Sequence, residues 1–192
     1  MARYSSLDPL NPVRHHARML EPKRILKPAM VPVPLWNRSV CKVLGTKRKA
    51  WRTIRQEVID AVSSTCDYCT KQYDNGKGMI CHEVWTYDDQ NHTATLSDFA
   101  LACRDCNFVL HPGAALEVGF RQSATGKGSI AQRGNQAIEH LSSVNGITAK
   151  EANEIFARAL KIHRERSRHK EWQIVIPGHM IERYPTLDGL TL

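Results

Sequence analysis

Four of the six cysteines fall into two Cys-x2-Cys pairs, Cys66–Cys69 and Cys103–Cys106, separated by residues 70–102. Each pair can turn two thiolates toward one point from a tight turn, and two pairs complete a tetrahedral four-sulfur zinc site. Four unrelated buried cysteines is the duller explanation, and polar turn residues around both pairs argue against it. With every position taken by sulfur such a site is closed. It holds a small fold together and does no chemistry. Between the pairs, His82 sits on an apolar run, and after the second pair Asn107 and His111 are spaced to share one helix face.

These residues need elements to hold them. Met79 to Tyr87 reads as a strand, with Ile80, His82, Val84 and Thr86 on one side and Cys81, Glu83, Trp85 and Tyr87 on the other. Trp85 and Tyr87 are expected in the core, and Asp88 and Asp89 in a turn. Lys71–Gly78 forms the turn before that strand, with Asn75-Gly76 at the reversal. His92–Leu96 returns as the partner strand, and Ser97–Ala102 leads into the second pair. A short helix is expected from Asn107 or later, broken at Pro112-Gly113. Upstream, Trp51, Ile54, Val58, Ala61 and Val62 give Lys47–Val62 one buried helical stripe. The fold class is therefore α+β, a knuckle–hairpin–knuckle–helix core with flanking helices.

The remaining chain divides around that core. Residues 1–46 form a basic, Pro-rich arm, within which Val31–Trp36 is apolar enough to dock. Residues 47–118 hold the helix and the finger. Glycines through 119–134 suggest a flexible loop. In 135–192, Gln136–Val144 is helical and stops at Asn145-Gly146. Thr148-Ala-Lys-Glu151 is a capping box that opens a long helix, with Ala152, Ile155, Phe156, Ala159, Leu160 and Ile162 on its buried side. Trp172–Ile176 is a short strand.

Charge points to a partner. The chain carries a net charge of +8, and residues 1–55 hold 13 Lys or Arg against Asp8 and Glu21. A basic arm on a nearly neutral body is the footprint of a polyanion binder, since each cation near a phosphate releases condensed counterions. The bland alternative is a solvated tail. Lys47, Arg48, Lys49, Arg52 and Arg55 face away from the helical stripe and, with Arg104 in the second knuckle, are the candidate nucleic-acid contacts. No apolar run approaches membrane-span length and no signal-peptide pattern is present, so a cytoplasmic protein without membrane contact is expected. There, paired cysteines bind metal more often than they form disulfides. Cys41 and Cys81 are left over, as two thiols or a disulfide.

A histidine on a hairpin between zinc knuckles, followed by a helix, resembles the HNH, or ββα-metal, endonuclease finger. It is most similar to the zinc-finger members whose central strand reads His-Glu-Val-Trp-x-Tyr-Asp-Asp, here His82 to Asp89. The resemblance covers residues 66–113. It implies hydrolysis of DNA phosphodiesters, with His82 as the general base that deprotonates the attacking water. It implies one Mg²⁺ or other divalent cation on the scissile phosphate, besides structural Zn²⁺. By position the cation's ligands are Cys81, Asn107 and His111, and Asp98 orients the base. Two positions depart from the common pattern. Asn107 stands for a histidine, and Cys81 offers a thiol, which suits a softer ion than Mg²⁺. Glu83 or Asp98 is an alternative carboxylate donor. The second reading keeps the scaffold and drops the catalytic metal: a zinc-finger module that binds nucleic acid or a protein partner. The sequence leaves oligomeric state and substrate form open.

Overall fold

The computed structural model describes residues 24–46 and 48–192, so the arm before Arg24 and the candidate contact Lys47 lie outside the described residues. It is a mixed α+β fold built on a three-stranded sheet in the order β1-β2-β3. β1 (Ile80–Asp88) and β2 (Thr93–Ala102) form an antiparallel hairpin, and β3 (Gln173–Val175) pairs parallel with β2. β1 is therefore an edge strand. Asn75 and Gly76 both take positive φ, 46° and 66°, in the turn that feeds it. Gly76 also lies so close to Ile59 that a Cβ would come within 2.9 Å of its side chain.

β2 continues to Ala102, beyond the expected Leu96. Phe99, Ala100, Leu101 and Ala102 are all fully buried, so this end of the strand has two covered faces and loses the alternation that marks a half-buried strand. Ser97 is the extra residue at a bulge opposite Val84 and Trp85, and its hydroxyl donates to the Val84 carbonyl (2.9 Å).

Seven α-helices are assigned among the described residues, beginning with the short α1 (Val40–Leu44) and with α2 (Lys49–Ala61), whose Trp51, Ile54 and Val58 are buried as the stripe requires. Trp51 and Tyr184 meet Phe99 edge-on at 5.9 and 5.1 Å, which places α2 and the C-terminal segment on the buried end of β2. α3 (Arg104–Leu110) starts three residues before the expected point, because Cys103 caps it: its sulfur accepts from the Cys106 N–H. α4 (Pro112–Ala124) and α5 (Ile130–Asn145) take up most of the expected loop, which shrinks to residues 125–129. The glycine at 119 serves proximity: a Cβ there would lie 2.8 Å from the Cα of Ile130.

α6 (Ala149–Arg168) opens with the expected capping box, Thr148 and Glu151 bonding each other's backbone N–H. Its stripe is covered only at the start. Ala152 is buried, Ile155 and Phe156 are half-buried, and Leu160 and Ile162 are exposed. The far end of α6 is held to the hairpin tip by Arg166, which grips both oxygens of Asp89 (2.7 and 2.9 Å) and lies over the Tyr87 ring. α7 (Gly178–Arg183) ends the helical set. Among the described residues no helix is long and apolar enough to cross a membrane.

Residues 24–39 strap this body together. Leu26 is fully buried, and the Asn145 side chain bonds both its N–H and its carbonyl. Ala29 N–H donates to the Leu110 carbonyl (2.8 Å), and Val33 N–H to Ser167 Oγ (3.1 Å). Leu35 packs with Ala94 and Trp172 in a small second core, as docking of Val31–Trp36 requires, while Trp36 stays exposed.

Candidate functional site

The four knuckle cysteines converge. One sulfur each from Cys66, Cys69, Cys103 and Cys106 lies within 4.8 Å of the others, a cluster that could hold a metal such as zinc. Local backbone explains the convergence. Asp67 in the first knuckle donates its N–H to the Leu101 carbonyl (2.8 Å) and accepts the Leu101 N–H on its carboxylate (2.5 Å), which docks that turn on the end of β2. The second knuckle is the first turn of α3. Its Cys103 N–H also donates to the Cys66 sulfur (3.3 Å). Packed so tightly, the thiols share protons unevenly. The hydrogen bond to Cys103 pushes Cys66 up to about 11 and Cys106 up as well, while contacts with Cys106 and Cys66 hold Cys103 far down. A dication is what lets all four ionise together. His140 on α5, which carried no signal in the sequence, sets its Nε2 3.2 Å from the Cys106 sulfur, where it can orient that ligand.

The second cluster is a histidine pair. His82 on β1 is 6% exposed, and its Nδ1 lies 3.0 Å from Nε2 of His111 at the C-terminal cap of α3. Burial, then His111, then Arg24 hold the His82 pKa down at about 3, and burial lowers that of His111. Both rings are therefore neutral at neutral pH. One donates to the other, and the choice of tautomer decides which nitrogen of His82 keeps a lone pair.

Both rings line a cleft of about 650 Å³, and Cys81 and Asn107 line it too. The three expected ligands of a catalytic metal thus share one cavity. Of the two ring nitrogens of His111, Nε2 faces His82. Among the described residues, the cysteine quartet is the cluster that brings three or more Cys, His, Asp or Glu ligand atoms into a metal's reach. Glu83, the alternative carboxylate, is already occupied. Its Oε1 accepts from Cys41 N–H (2.9 Å) at the start of α1, and its Oε2 from the Trp85 indole (3.2 Å). Burial raises its pKa against those donors. No disulfide joins Cys41 and Cys81.

Asp98 pairs across the hairpin with Val84, two residues on from His82. Its carboxylate is gripped by Arg24 and, at 3.5 Å, by Arg183. It thereby holds in place the guanidinium that acts on His82. Of the candidate nucleic-acid contacts, Arg48, Lys49, Arg52 and Arg104 are exposed. Arg55 instead donates to the carbonyls of Gly76 and Met79 (3.2 Å each) and pins the turn before β1.

Sequence reasoning missed the far wall of the cleft. Trp36 and Arg38 from the arm and His163 from α6 line it, together with Trp85 and Tyr87, which are half-buried against the core as expected and also border the cleft. Arg38 gives its guanidinium to the carbonyls of Trp172 (3.3 Å) and Leu192 (2.5 Å). His163 Nδ1 is shut from solvent with no hydrogen-bond partner among the described residues. The alternation along β1 could have flagged Trp85 and Tyr87, since they fall on the same side as Cys81. Comparison with protein-family models, with curated proteins and with solved structures returns no match for the chain.

Proposed function

We propose that the chain is a metal-dependent HNH-type endonuclease, hydrolysing DNA phosphodiesters with His82 as general base. The observation that carries this reading is the His82–His111 pair, buried at a cleft and joined at 3.0 Å, between a strand and a helix that grow from the two cysteine knuckles. When His82 Nδ1–H donates to His111 Nε2, the lone pair of His82 Nε2 is left to take a proton from water. The low pKa keeps the ring neutral, and the negative charge of an incoming phosphate raises its proton affinity as the attacking water gives up its proton. Arg24, held by Asp98, and the exposed cations of α2 suit phosphate, so affinity is expected to depend steeply on salt. A divalent cation on His111, Asn107 and Cys81 would neutralise charge on the scissile phosphate and the leaving 3′ oxygen. An imidazole, an amide and a thiol suit a borderline ion such as Ni²⁺ or Zn²⁺ better than Mg²⁺. Binding through Nε2 would cost His111 its contact with His82, whereas binding through Nδ1 would keep it.

The departures at Cys81 and Asn107 favour the second reading, a non-catalytic zinc-finger module for nucleic acid or a protein partner. The two separate on supercoiled plasmid incubated with Mg²⁺, Mn²⁺ or Ni²⁺, beside His82→Ala. Metal-dependent nicking that vanishes in a folded, zinc-replete variant supports hydrolysis. Salt-sensitive binding without cleavage of any substrate supports the module.

A further inference from the structure

Away from the histidine pair, the walls of the cleft do not suit a phosphate. Its arm side presents Leu35 and Trp36 and its strand side Trp85 and Tyr87. The two charged groups on these walls are already committed: Glu83 to Cys41 and Trp85, Arg38 to two carbonyls. Trp36 is 56% exposed, yet its indole N–H is pinned to the Val31 carbonyl (2.9 Å), so a rigid aromatic face is held open without serving the core. His163 adds a polar ring to the lining.

A paired duplex offers phosphates and sugars on its outside and keeps its base faces stacked. An unpaired nucleotide offers a flat apolar face with a polar edge, which is what aromatic walls and one polar group accept. The volume, about 650 Å³, is in the range of sites that enclose a small molecule. The chain's net charge of +8 suits a ligand that carries phosphates. We infer that the cleft binds an unstacked nucleobase on Trp36, so that the substrate is DNA with an unpaired or easily unstacked nucleotide beside the scissile bond. The inference builds on the hydrolytic reading, because the same cavity carries His82 and His111.

The test separates the two. Zinc-replete His82→Ala protein, with no other divalent metal, is titrated against single-stranded, singly bulged and fully paired oligonucleotides of one sequence. An otherwise identical bulge with an abasic nucleotide is the fourth ligand. The bulged and single-stranded forms are expected to bind more tightly than the paired form. Adding Trp36→Ala, or removing the bulged base, should weaken binding by roughly five- to a hundredfold, the range of one base–aromatic stack. Trp36→Phe should restore most of it, and 2-aminopurine at the bulge should change fluorescence on binding. Equal affinity for paired and bulged DNA overturns the inference, as does indifference to Trp36→Ala in a protein with unchanged melting and zinc content. No binding to any oligonucleotide also overturns it and leaves the cleft to an apolar protein segment. A chain that holds the bulge through Trp36 but cuts nothing keeps the base site and loses hydrolysis. A chain that cuts paired DNA equally well with and without Trp36 keeps hydrolysis and loses the base site.

Discussion

The cysteine quartet and the histidine cleft are joined by α3, which begins at Cys103 and ends against His111, yet they are built on opposite plans. The quartet uses four identical soft donors from two turns, all within 4.8 Å, with backbone N–H groups aimed at sulfur. The cleft uses an imidazole pair, an amide and a thiol, and its walls come from the arm, β1, α3 and α6. A closed, uniform site has nowhere to admit a reactant and serves as a staple. An open, mixed one leaves lone pairs uncommitted, at the cost of definition: His111 Nε2 can serve His82 or an ion. The difference teaches that the quartet secures one end of α3, while the other end presents His111 to the cleft.

The contrast breaks first at the quartet. Cys106→Ser, or exhaustive chelation, should abolish cooperative unfolding of the finger, because metal binding and folding are one equilibrium in such sites. Circular dichroism melts with metal analysis check this, and a chelated protein that melts as before would deny the staple role. Next, His82→Ala should lower cleavage about 10²- to 10⁴-fold, the range for a lost general base, while zinc content is unchanged. Leu26→Ala, in the arm, should cost about 2–5 kcal/mol and loosen the cleft wall before the finger. Denaturant titration with zinc retention reads both regions at once, and simultaneous loss would show that they are one cooperative unit.

Acid sharpens the comparison from another side. The folded His82 pKa of about 3 lies below the ordinary 6.5, so between those values the unfolded chain binds a proton that the folded chain refuses. Stability from this group is complete above about pH 6.5 and declines as pH falls toward 3. His82→Ala should flatten that slope relative to wild type, and subtracting the two melting-temperature profiles removes the separate acid sensitivity of the thiolates. The smallest effect belongs at the hairpin tip. Asp89→Asn breaks an exposed pair with Arg166 and should cost about 0–1 kcal/mol, leaving zinc content and binding alone.

The parts legible in the sequence are those whose signals are local. Two short cysteine spacings announced the quartet, Thr148 and Glu151 announced the start of α6, and Asn75-Gly76 announced the turn before β1. Glycine was ambiguous at 119, where close approach of Ile130 rather than flexibility explains it. The end of β2 was obscured because burial on both faces removes the period that betrays a strand. The far wall of the cleft was out of reach. Trp36, Arg38 and His163 share the cleft with β1 residues because the arm is tied to α6 by contacts such as Val33 to Ser167, 134 positions apart, and no local pattern encodes them.

Those sequence separations also set an order of birth. The quartet spans residues 66 to 106 and can close as soon as that stretch leaves the ribosome. The arm is fixed by Asn145, which bonds Leu26 from 119 positions downstream, and by Ser167 after it. Contacts between distant positions form late, because they must wait for the chain that supplies them and for the loop entropy of closing it. A nascent chain thus owns its cysteine quartet well before its cleft, whose walls are completed when translation is nearly done.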